Sequence, residues 1–416
     1  MRIAWFSPLP PERSGVAAYS AELLTQLTQL SGRFQIDLYA EAQAHDFVWR
    51  ARQTPYDLVV YHLGNAVCHD YMWAYLARYP GLVVLHDARL HHARARCLLG
   101  RDRIDEYRDE FRYDHPGTNP GVAQYAIEGL GGPVYYLWPM IKVIMDTARV
   151  VAVHSPWVAA DLRDVFPSAA VEVVRMGVPA IPPTTDPRHL REELGFPGEA
   201  IVFAAFGKIT TEKRISSIMS ALGALAQEGH PAYAVFVGDA DGYSGLSQEI
   251  SARGLEERVR VTGHVADASI GDYLAAADVC LCLRWPTALE TSASWLRCLA
   301  AARPTVITNL AHLADIPDRV AARVDPLDEA SSLLDSMRRL IAEPSWRHDL
   351  GRAGHAYWQA SHTLEAMAAD YSRLLPLAAS TPAPQPTGLP THFLADYSSV
   401  ATEVTRRLGV RVNGLD

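Results

Sequence analysis

A carboxylate and three hydroxyl side chains stand close together within residues 284–308. They are Glu290, Thr291, Ser292 and Ser294. The apolar run VCLCL (279–283) before them is typical of a buried parallel strand, and Pro286 ends that strand. Ser292 is a good N-cap for the helix predicted after it. These polar groups therefore lie where the carboxyl end of a strand meets a helix N-terminus, whose free N–H groups can bind a phosphate.

Two lysines lie at a second predicted junction between a strand and a helix. Lys208 and Lys213 follow the apolar strand Ile201–Phe206 and precede a helix predicted over 215–226. Two cations at such a junction can neutralise a diphosphate and stabilise it as a leaving group. Most lysines are solvated surface charges. The agreement with the segment around Glu290 favours a functional role here.

The composition is that of a folded protein with more than one domain. The chain has 416 residues, of which 49% are hydrophobic and 20% charged, and this length suits two domains. The net charge of −9 argues against nucleic acid as a partner. Five scattered cysteines without zinc spacing indicate reduced thiols. No apolar stretch reaches the roughly 20 residues that span a bilayer, so we predict a cytoplasmic protein. Residues 134–145 form a shorter apolar stretch, which is compatible with peripheral contact at the inner face of the membrane.

Strands alternate with helices along most of the chain, which predicts parallel βαβ units. The first unit is a strand over 2–7, a turn-rich loop that ends at Gly15, and a helix over 16–30. A glycine at this point lets backbone N–H groups approach a phosphate, although the loop lacks the GxGxxG pattern of dinucleotide-binding proteins. A later strand, 82–86, ends in His86, which is expected to face a cleft at the carboxyl ends of the strands.

The segment around Glu290 resembles the donor-binding signature of retaining glycosyltransferases of family 4, which have the GT-B fold. Their usual pattern is a Glu, a flexible run, a second Glu eight residues after the first, and a small-residue helix that leads to Gly-x-Pro-Val-Val. Glu290 matches the first Glu, and AAARPTVI (300–307) matches the end of the pattern. The second Glu is missing: its place falls on Cys298 without a gap, or on Arg297 with one deletion. The chain thus resembles a branch that lacks this residue.

The resemblance covers roughly residues 1–375 and implies an α/β protein with two Rossmann-like domains that face each other across a cleft. It places an acceptor-side domain at 1–178, a linker at 179–200 and a nucleotide-sugar domain at 201–362. The last segment, 363–416, begins with a C-terminal helix that the resemblance implies crosses back to the first domain. The sequence itself predicts a Pro-rich tail after it, with one short helix at 398–408.

The same resemblance assigns roles to individual residues. Gly207, Lys208 and Lys213 resemble the family's Gly-Arg/Lys…Glu-Lys pattern, so both lysines would bind the donor diphosphate and Gly15 would approach it. Glu290 would hold hydroxyls of the sugar. The remaining implied contacts are His86 at the sugar or the reacting centre, Gly263, His264 and Val265 at the base, and Thr291, Ser292, Ala293 and Ser294 at the phosphates. Arg297 can only donate hydrogen bonds, so it cannot hold ribose hydroxyls as a Glu does and would meet a phosphate.

The predicted activity is the transfer of a sugar from a nucleotide-diphosphate sugar to an acceptor hydroxyl, with retained anomeric configuration and no metal or other cofactor. In this family the leaving phosphate is thought to deprotonate the acceptor itself. Family acceptors include sugars, glycolipids and small metabolites. Residues 101–145 are either a wall of the acceptor site or a set of solvated helices.

Three other interpretations were weighed against this one. Asp239-x-Asp241 could bind a metal in a different glycosyltransferase fold, but its Gly-rich turn and the two lysines disfavour that site. A Rossmann oxidoreductase is disfavoured because GxGxxG is absent. The missing second Glu leaves open a non-catalytic GT-B-like protein that binds a sugar, a nucleotide or a partner subunit. The joint presence of Lys208, Lys213 and Glu290 argues against this last alternative.

Overall fold

The computed structural model describes residues 1–29, 32–394 and 407–409. Its strands form two six-stranded parallel sheets, one in each half of the chain. The first sheet contains β1 (Arg2–Phe6), β2 (Gln35–Tyr39), β3 (Leu58–Leu63), β4 (Leu82–Leu85), β5 (Val150–Val153) and β6 (Val171–Val173). The second contains β7 (Ile201–Phe206), β8 (Ala232–Val237), β9 (Val259–Val261), β10 (Val279–Cys282), β11 (Thr305–Thr308) and β12 (Ala322–Val324).

Helices cover both faces of each sheet, which explains why the central strands are apolar along their whole length. The first half contains α1 (Gly15–Gln29), α2 (Asp46–Gln53), α3 (Trp73–Leu76), α4 (His91–Leu99), α5 (Ile104–Asp114), α6 (Gly121–Ile127), α7 (Val134–Leu137), α8 (Lys142–Thr147) and α9 (Pro156–Val165). The second half contains α10 (Pro187–Glu193), α11 (Ile215–Gln227), α12 (Leu246–Ala252), α13 (Ile270–Ala276), α14 (Ala293–Ala300), α15 (Glu329–Ala342), α16 (Pro344–Ser361), α17 (Leu364–Ser380) and α18 (Thr391–Leu394).

The order of the strands reverses once in each sheet. The second sheet runs β12-β11-β10-β7-β8-β9, so the chain leaves β7 on one side and returns to β10 on the other. The loops after β7 and β10 therefore diverge from neighbouring strands, which is where open α/β sheets bind ligands. The first sheet runs β2-β1-β3-β4-β5-β6 and has the same reversal beside β1. The loop that ends at Gly15 follows that strand.

Helix α17 crosses back and packs on the N-terminal half. The hydroxyls of Tyr19 on α1 and Tyr371 on α17 are 2.8 Å apart. Arg175 Nε donates to Asp370 Oδ2 at 2.7 Å. A Cβ on Gly177 would lie 2.3 Å from the Thr363 carbonyl oxygen, so only glycine allows this close approach. The predicted two-domain α/β architecture with a returning C-terminal helix is confirmed.

The segment between the two sheets contains a helix, α10, which the sequence analysis had treated only as linker. Asp186 caps it, because its Oδ1 accepts a hydrogen bond from Arg188 N at 2.9 Å, and Pro187 occupies its first turn. Apart from residues 407 and 408, the short helix predicted at 398–408 lies outside the described residues. Within the described part of the chain, no helix has both the length and the apolar character needed to cross a bilayer.

Candidate functional site

Three of the predicted residues meet at the point where the second sheet reverses. Gly207 has a φ of +85°, and a Cβ there would lie 2.9 Å from Lys213 Nζ and 3.4 Å from Ser294 Oγ. The loop after β7 and the start of α14 are therefore in direct contact. The Lys213 ammonium also donates to the Phe206 carbonyl, which directs it towards the end of β7.

The charge of Lys213 is poorly compensated in this position. Burial and the nearby positive charge of Arg284 together lower the pKa of its ammonium to about 7. An anion bound beside Lys213 would favour the protonated amine. The site is thus suited electrostatically to a phosphate group.

Lys208 does not share the cleft with Lys213. Its side chain is exposed, and its Cε lies 3.5 Å from the place where a Cβ on Gly242 would stand. The backbone N–H of Ile209 donates to the Asp239 carbonyl at 2.7 Å, which fixes this part of the loop against the turn after β8. The structure therefore separates the two lysines, and a contact between Lys208 and the diphosphate stays a prediction.

Glu290 lies on the opposite wall of the cleft and is held by three contacts. Its Oε2 accepts hydrogen bonds from Thr287 Oγ1 and Ala288 N, both at 2.9 Å. Its Oε1 pairs with Arg284 Nε at 2.8 Å. A carboxylate has about four acceptor positions, so one remains for a ligand hydroxyl.

Arg284 is a cleft residue that the sequence analysis missed. Its backbone N–H donates to Thr308 Oγ1 at 3.0 Å, which ties it to the end of β11. The available signal was a charged residue directly after the buried run 279–283, at the carboxyl end of a strand. The cleft is lined by Phe206, Lys213, Arg284, Glu290, Ser292, Ser294, Thr308 and His312, among others.

Helix α14 begins at this cleft with free backbone donors. Ser292 is its N-cap, since its Oγ accepts from Trp295 N at 3.2 Å. No described residue accepts a hydrogen bond from the N–H groups of Ala293 or Ser294. Thr291 lies on the neighbouring side of the loop and faces His86. The predicted helix N-terminus is therefore available to an anion from the cleft side.

His86 reaches the boundary between the domains, but both of its ring nitrogens are occupied. Its Nε2 lies 3.0 Å from His62 Nδ1, and its Nδ1 lies 3.2 Å from His154 Nε2. His154 Nδ1 lies 3.0 Å from the Val174 carbonyl and must donate to it. Burial lowers the pKa of all three imidazoles, so neutral rings donate in sequence from each Nδ1. In this arrangement His86 has no free ring nitrogen for a ligand, and its role at the sugar or the reacting centre stays a prediction.

The predicted base-binding turn lies beside the loop after β7. Gly263 (φ +70°) forms an isolated bridge with Gly238. A Cβ on Gly238 would lie 2.3 Å from the Gly207 carbonyl oxygen, so this glycine connects the two loops. His264 is exposed and Val265 is half-buried at the edge of the core.

Gly15 and Arg297 complete the set of predicted residues. Gly15 is the exposed first residue of α1, with open space where a Cβ would stand. Arg297 Nη2 donates to Glu22 Oε1 at 2.8 Å, so it pairs with a carboxylate of the other domain. The contact of Arg297 with a phosphate stays a prediction.

The loops of the two domains touch on either side of the cleft. Ala88 N donates to the Ala288 carbonyl at 2.9 Å, and Ser155 Oγ donates to the His312 carbonyl at 3.2 Å. The first contact brings Asp87 close to Glu290. Burial and the charge of Glu290 raise the pKa of Asp87 to about 7, although its Oδ2 accepts a hydrogen bond from Asn65 N at 2.7 Å.

Comparison with known proteins identifies the second half of the chain. Residues 200–343 match the model of the family described as Glycosyl transferases group 1. The chain contains a group 1 glycosyltransferase domain. Alpha-D-kanosaminyltransferase from Streptomyces kanamyceticus is 27% identical over 180 residues, which is 43% of this chain and 46% of that protein. The match therefore spans about half the length of the curated relative.

Solved structures resemble nearly the whole chain. Sucrose-phosphate synthase from Thermosynechococcus elongatus superposes with a TM-score of 0.67 at 18% identity, over 91% of this chain and 98% of that one. Anabaena HepE in complex with UDP-glucose superposes with a TM-score of 0.62 at 16% identity, over 91% of this chain and 100% of that one. WaaG, a glycosyltransferase involved in lipopolysaccharide biosynthesis, superposes with a TM-score of 0.63 at 11% identity, over 90% of this chain and 99% of that one. These likenesses confirm the GT-B fold.

The side chain of Asp239 stabilises the turn that contains Asp239 and Asp241. Asp239 Oδ1 accepts a hydrogen bond from Asp241 N at 2.8 Å. In the described ranges, no group of three or more His, Cys, Asp or Glu side chains is placed to hold a metal ion.

Proposed function

We propose that this chain is a retaining glycosyltransferase that moves a sugar from a nucleotide-diphosphate sugar to an acceptor hydroxyl without a metal ion. The observation that carries this proposal is the convergence of Gly207, Lys213 and Ser294 at the N-terminus of α14. The group 1 domain and the relatives named as glycosyltransferases support it, and HepE has been solved with UDP-glucose.

The leaving diphosphate would be stabilised by fixed positive charge and backbone donors. When the bond between the sugar and the phosphate breaks, negative charge develops on the phosphate oxygens. Lys213 would be protonated once the diphosphate binds. Its ammonium and the free N–H groups of Ala293 and Ser294 would then stabilise the negative charge on the phosphate oxygens. Arg284 adds a second positive charge to the same cleft. The fold already holds these groups in place, so they need not rearrange as the charge on the phosphate develops.

The sugar would lie between the phosphate site and Glu290. The one acceptor position left on the Glu290 carboxylate would take a sugar hydroxyl, while Arg284 and Thr287 fix the carboxylate in position. The acceptor hydroxyl would enter from the N-terminal domain and transfer its proton to the departing phosphate on the same face of the sugar. The protein then contributes orientation and charge stabilisation rather than a nucleophile.

Turnover of the donor tests this proposal. UDP-, GDP- and ADP-sugars are incubated in EDTA with the protein and with simple sugars as acceptors of the transferred sugar, and free nucleoside diphosphate is measured. We expect release from one of these donors, and a loss of about 100-fold or more in Lys213→Met, as for removal of one oxyanion donor. Lys208→Met is the comparison variant: it removes the exposed lysine of the same loop and so tests the predicted contact of Lys208 with the diphosphate separately. Inversion at the anomeric carbon of the product, read by NMR, would contradict the retaining mechanism, and rescue by Mg²⁺ or Mn²⁺ would contradict metal independence.

The alternative is a non-catalytic GT-B-like binding protein. It is favoured by one observation, which is that position 297 carries an arginine paired with Glu22 where the family pattern carries a Glu. Under this alternative a nucleotide sugar binds but releases no nucleoside diphosphate, even with an acceptor present. The turnover assay therefore separates the two functions.

A further inference from the structure

Two charged side chains from different domains meet beside helix α14. Arg297 Nη2 on α14 donates to Glu22 Oε1 on α1 at 2.8 Å, and the two side chains are only 14% and 22% exposed. Arg297 follows Ser294 by three residues, so both lie on one face of the helix, about 4.5 Å apart along its axis. The pair therefore lies one helical turn beyond the phosphate site formed by Gly207, Lys213 and Ser294.

The same pair also lies towards the predicted base-binding turn. Burial raises the pKa of the Glu22 carboxyl most, and the charge of Asp267, two residues after Val265, also raises it, so these two carboxylates are near each other. Gly238 links the turn at Gly263 to the loop after β7. A nucleotide with its phosphates at α14 and its base at 263–265 would place its ribose between them, where Glu22 and Arg297 meet.

The pair has unused hydrogen-bonding capacity. No described residue donates to the second carboxylate oxygen of Glu22. The Nε of Arg297 is buried, and no described residue accepts a hydrogen bond from it. Burial raises the pKa of Glu22 although Arg297 opposes this, so the carboxylate is under-compensated in the absence of ligand. A neighbouring group with hydroxyl donors would stabilise it.

We propose that Glu22 of the N-terminal domain accepts hydrogen bonds from the ribose hydroxyls of the donor nucleotide, and that Arg297 of the other domain holds its carboxylate in place. Carboxylates are the usual partners of ribose diols in nucleotide sites. Recognition of the ribose then requires both domains, so the nucleotide binds fully only when the cleft is closed. This inference rests on the proposed function.

The test compares nucleotides that differ only in the ribose. Dissociation constants of UDP, 2′-deoxy-UDP and 3′-deoxy-UDP, and of the guanosine and adenosine counterparts, are measured by calorimetry for wild type and Glu22→Ala. We expect wild type to prefer the ribonucleotide at least tenfold over one of the deoxy forms. In Glu22→Ala the ribonucleotide should weaken to about the deoxy value, and the preference should fall to within about twofold.

Two further variants separate recognition from a purely structural role. Arg297→Ala breaks the same ion pair but keeps the carboxylate, so the ribose preference should be reduced yet still measurable. Asp267→Asn is the matched control and should keep the wild-type preference. If Glu22→Ala weakens ribo- and deoxynucleotides equally, the pair only holds the domains together and the inference is wrong. Loss of the preference in Asp267→Asn instead would also overturn it. If wild type binds none of the nucleotides, the proposed function itself fails, which is a distinguishable result.

Discussion

Donor binding should be coupled to protonation of Lys213. Burial and the charge of Arg284 lower the pKa of its ammonium to about 7. The side chain is therefore neutral in about half of the protein molecules at pH 7. The diphosphate of a nucleotide sugar keeps its charge over roughly pH 6 to 9, and its arrival favours the charged amine. Binding should therefore take up a proton from solution.

The magnitude follows from the two pKa values. If the bound diphosphate restores the ordinary value of 10.5, binding takes up about half a proton at pH 7 and about nine-tenths at pH 8. The dissociation constant should then rise roughly 50-fold between pH 7 and pH 9. Without ligand, the folded protein binds fewer protons here than the unfolded chain, so its stability should increase as pH rises from about 7 to 10.5.

Calorimetry in two buffers with different ionisation enthalpies measures the proton uptake directly. In Lys213→Met the uptake and the pH dependence should disappear, and affinity at pH 7 should fall about 10- to 100-fold, as for the loss of a charged hydrogen-bond donor. Lys208→Met should keep the pH profile, because that side chain is exposed and lies outside the cleft. A wild-type affinity that stays flat from pH 7 to 9 with no proton uptake would refute the reasoning.

Four other changes have defined outcomes. Glu290→Gln should reduce discrimination between donor sugars in competition assays, while nucleoside diphosphate affinity changes less than about threefold, because its contacts lie on the sugar side of the cleft; unchanged sugar preference would count against it. Gly15→Ala should leave the melting temperature unchanged, since a Cβ there meets nothing within 4 Å, yet weaken diphosphate binding about tenfold by blocking close backbone approach; equal affinity would show that no phosphate comes near. Gly177→Ala should lower stability by about 1–3 kcal/mol in denaturant titrations, because its Cβ would lie 2.3 Å from a carbonyl oxygen of the α17 cap; a silent substitution would mean that α17 is not closely docked. The imidazoles of the His86 chain are neutral in the fold with pKa values below 6.5, so stability should fall as pH drops below 6.5, by up to about 1.4 kcal/mol per histidine and pH unit, and His154→Gln should reduce that slope.

Local sequence signals predicted the elements that carry the site. The bounds of β7 agree with the apolar run that indicated it, because a parallel strand buried on both faces is apolar along its whole length. Helix α14 begins after Ser292 as predicted, since a proline ended the preceding strand and a serine was available to cap the helix. These features depend only on neighbours along the chain.

Contacts between distant segments could not be predicted in the same way. Arg297 and Glu22 are 275 residues apart, and nothing in either local sequence indicates the other. The five-residue spacing of Lys208 and Lys213 suggested one shared site. However, a short turn over Thr211–Lys213, followed by the left-handed Arg214, directs only the second lysine into the cleft. Loop geometry of this kind is set by tertiary packing.

The hydrogen bonds of His86 to two other histidines have a signal in the sequence. His62, His86 and His154 lie at the carboxyl ends of β3, β4 and β5, which are adjacent in the sheet. Three such residues at one edge can reach one another. The sequence alone does not give the strand order, and this explains why His86 was expected to face a ligand instead of its neighbours.

A thermal-shift titration with UDP, GDP, ADP and their common sugar conjugates, in the presence of EDTA, tests the central claim most directly. A ligand that binds only the folded state raises the melting temperature, and the shift grows once the ligand exceeds its dissociation constant. We expect one nucleotide family to give a concentration-dependent shift, and Lys213→Met to reduce it more than Lys208→Met does, because the Lys208 side chain lies outside the cleft. No shift with any of these nucleotides would contradict the claim that this cleft binds a nucleotide sugar.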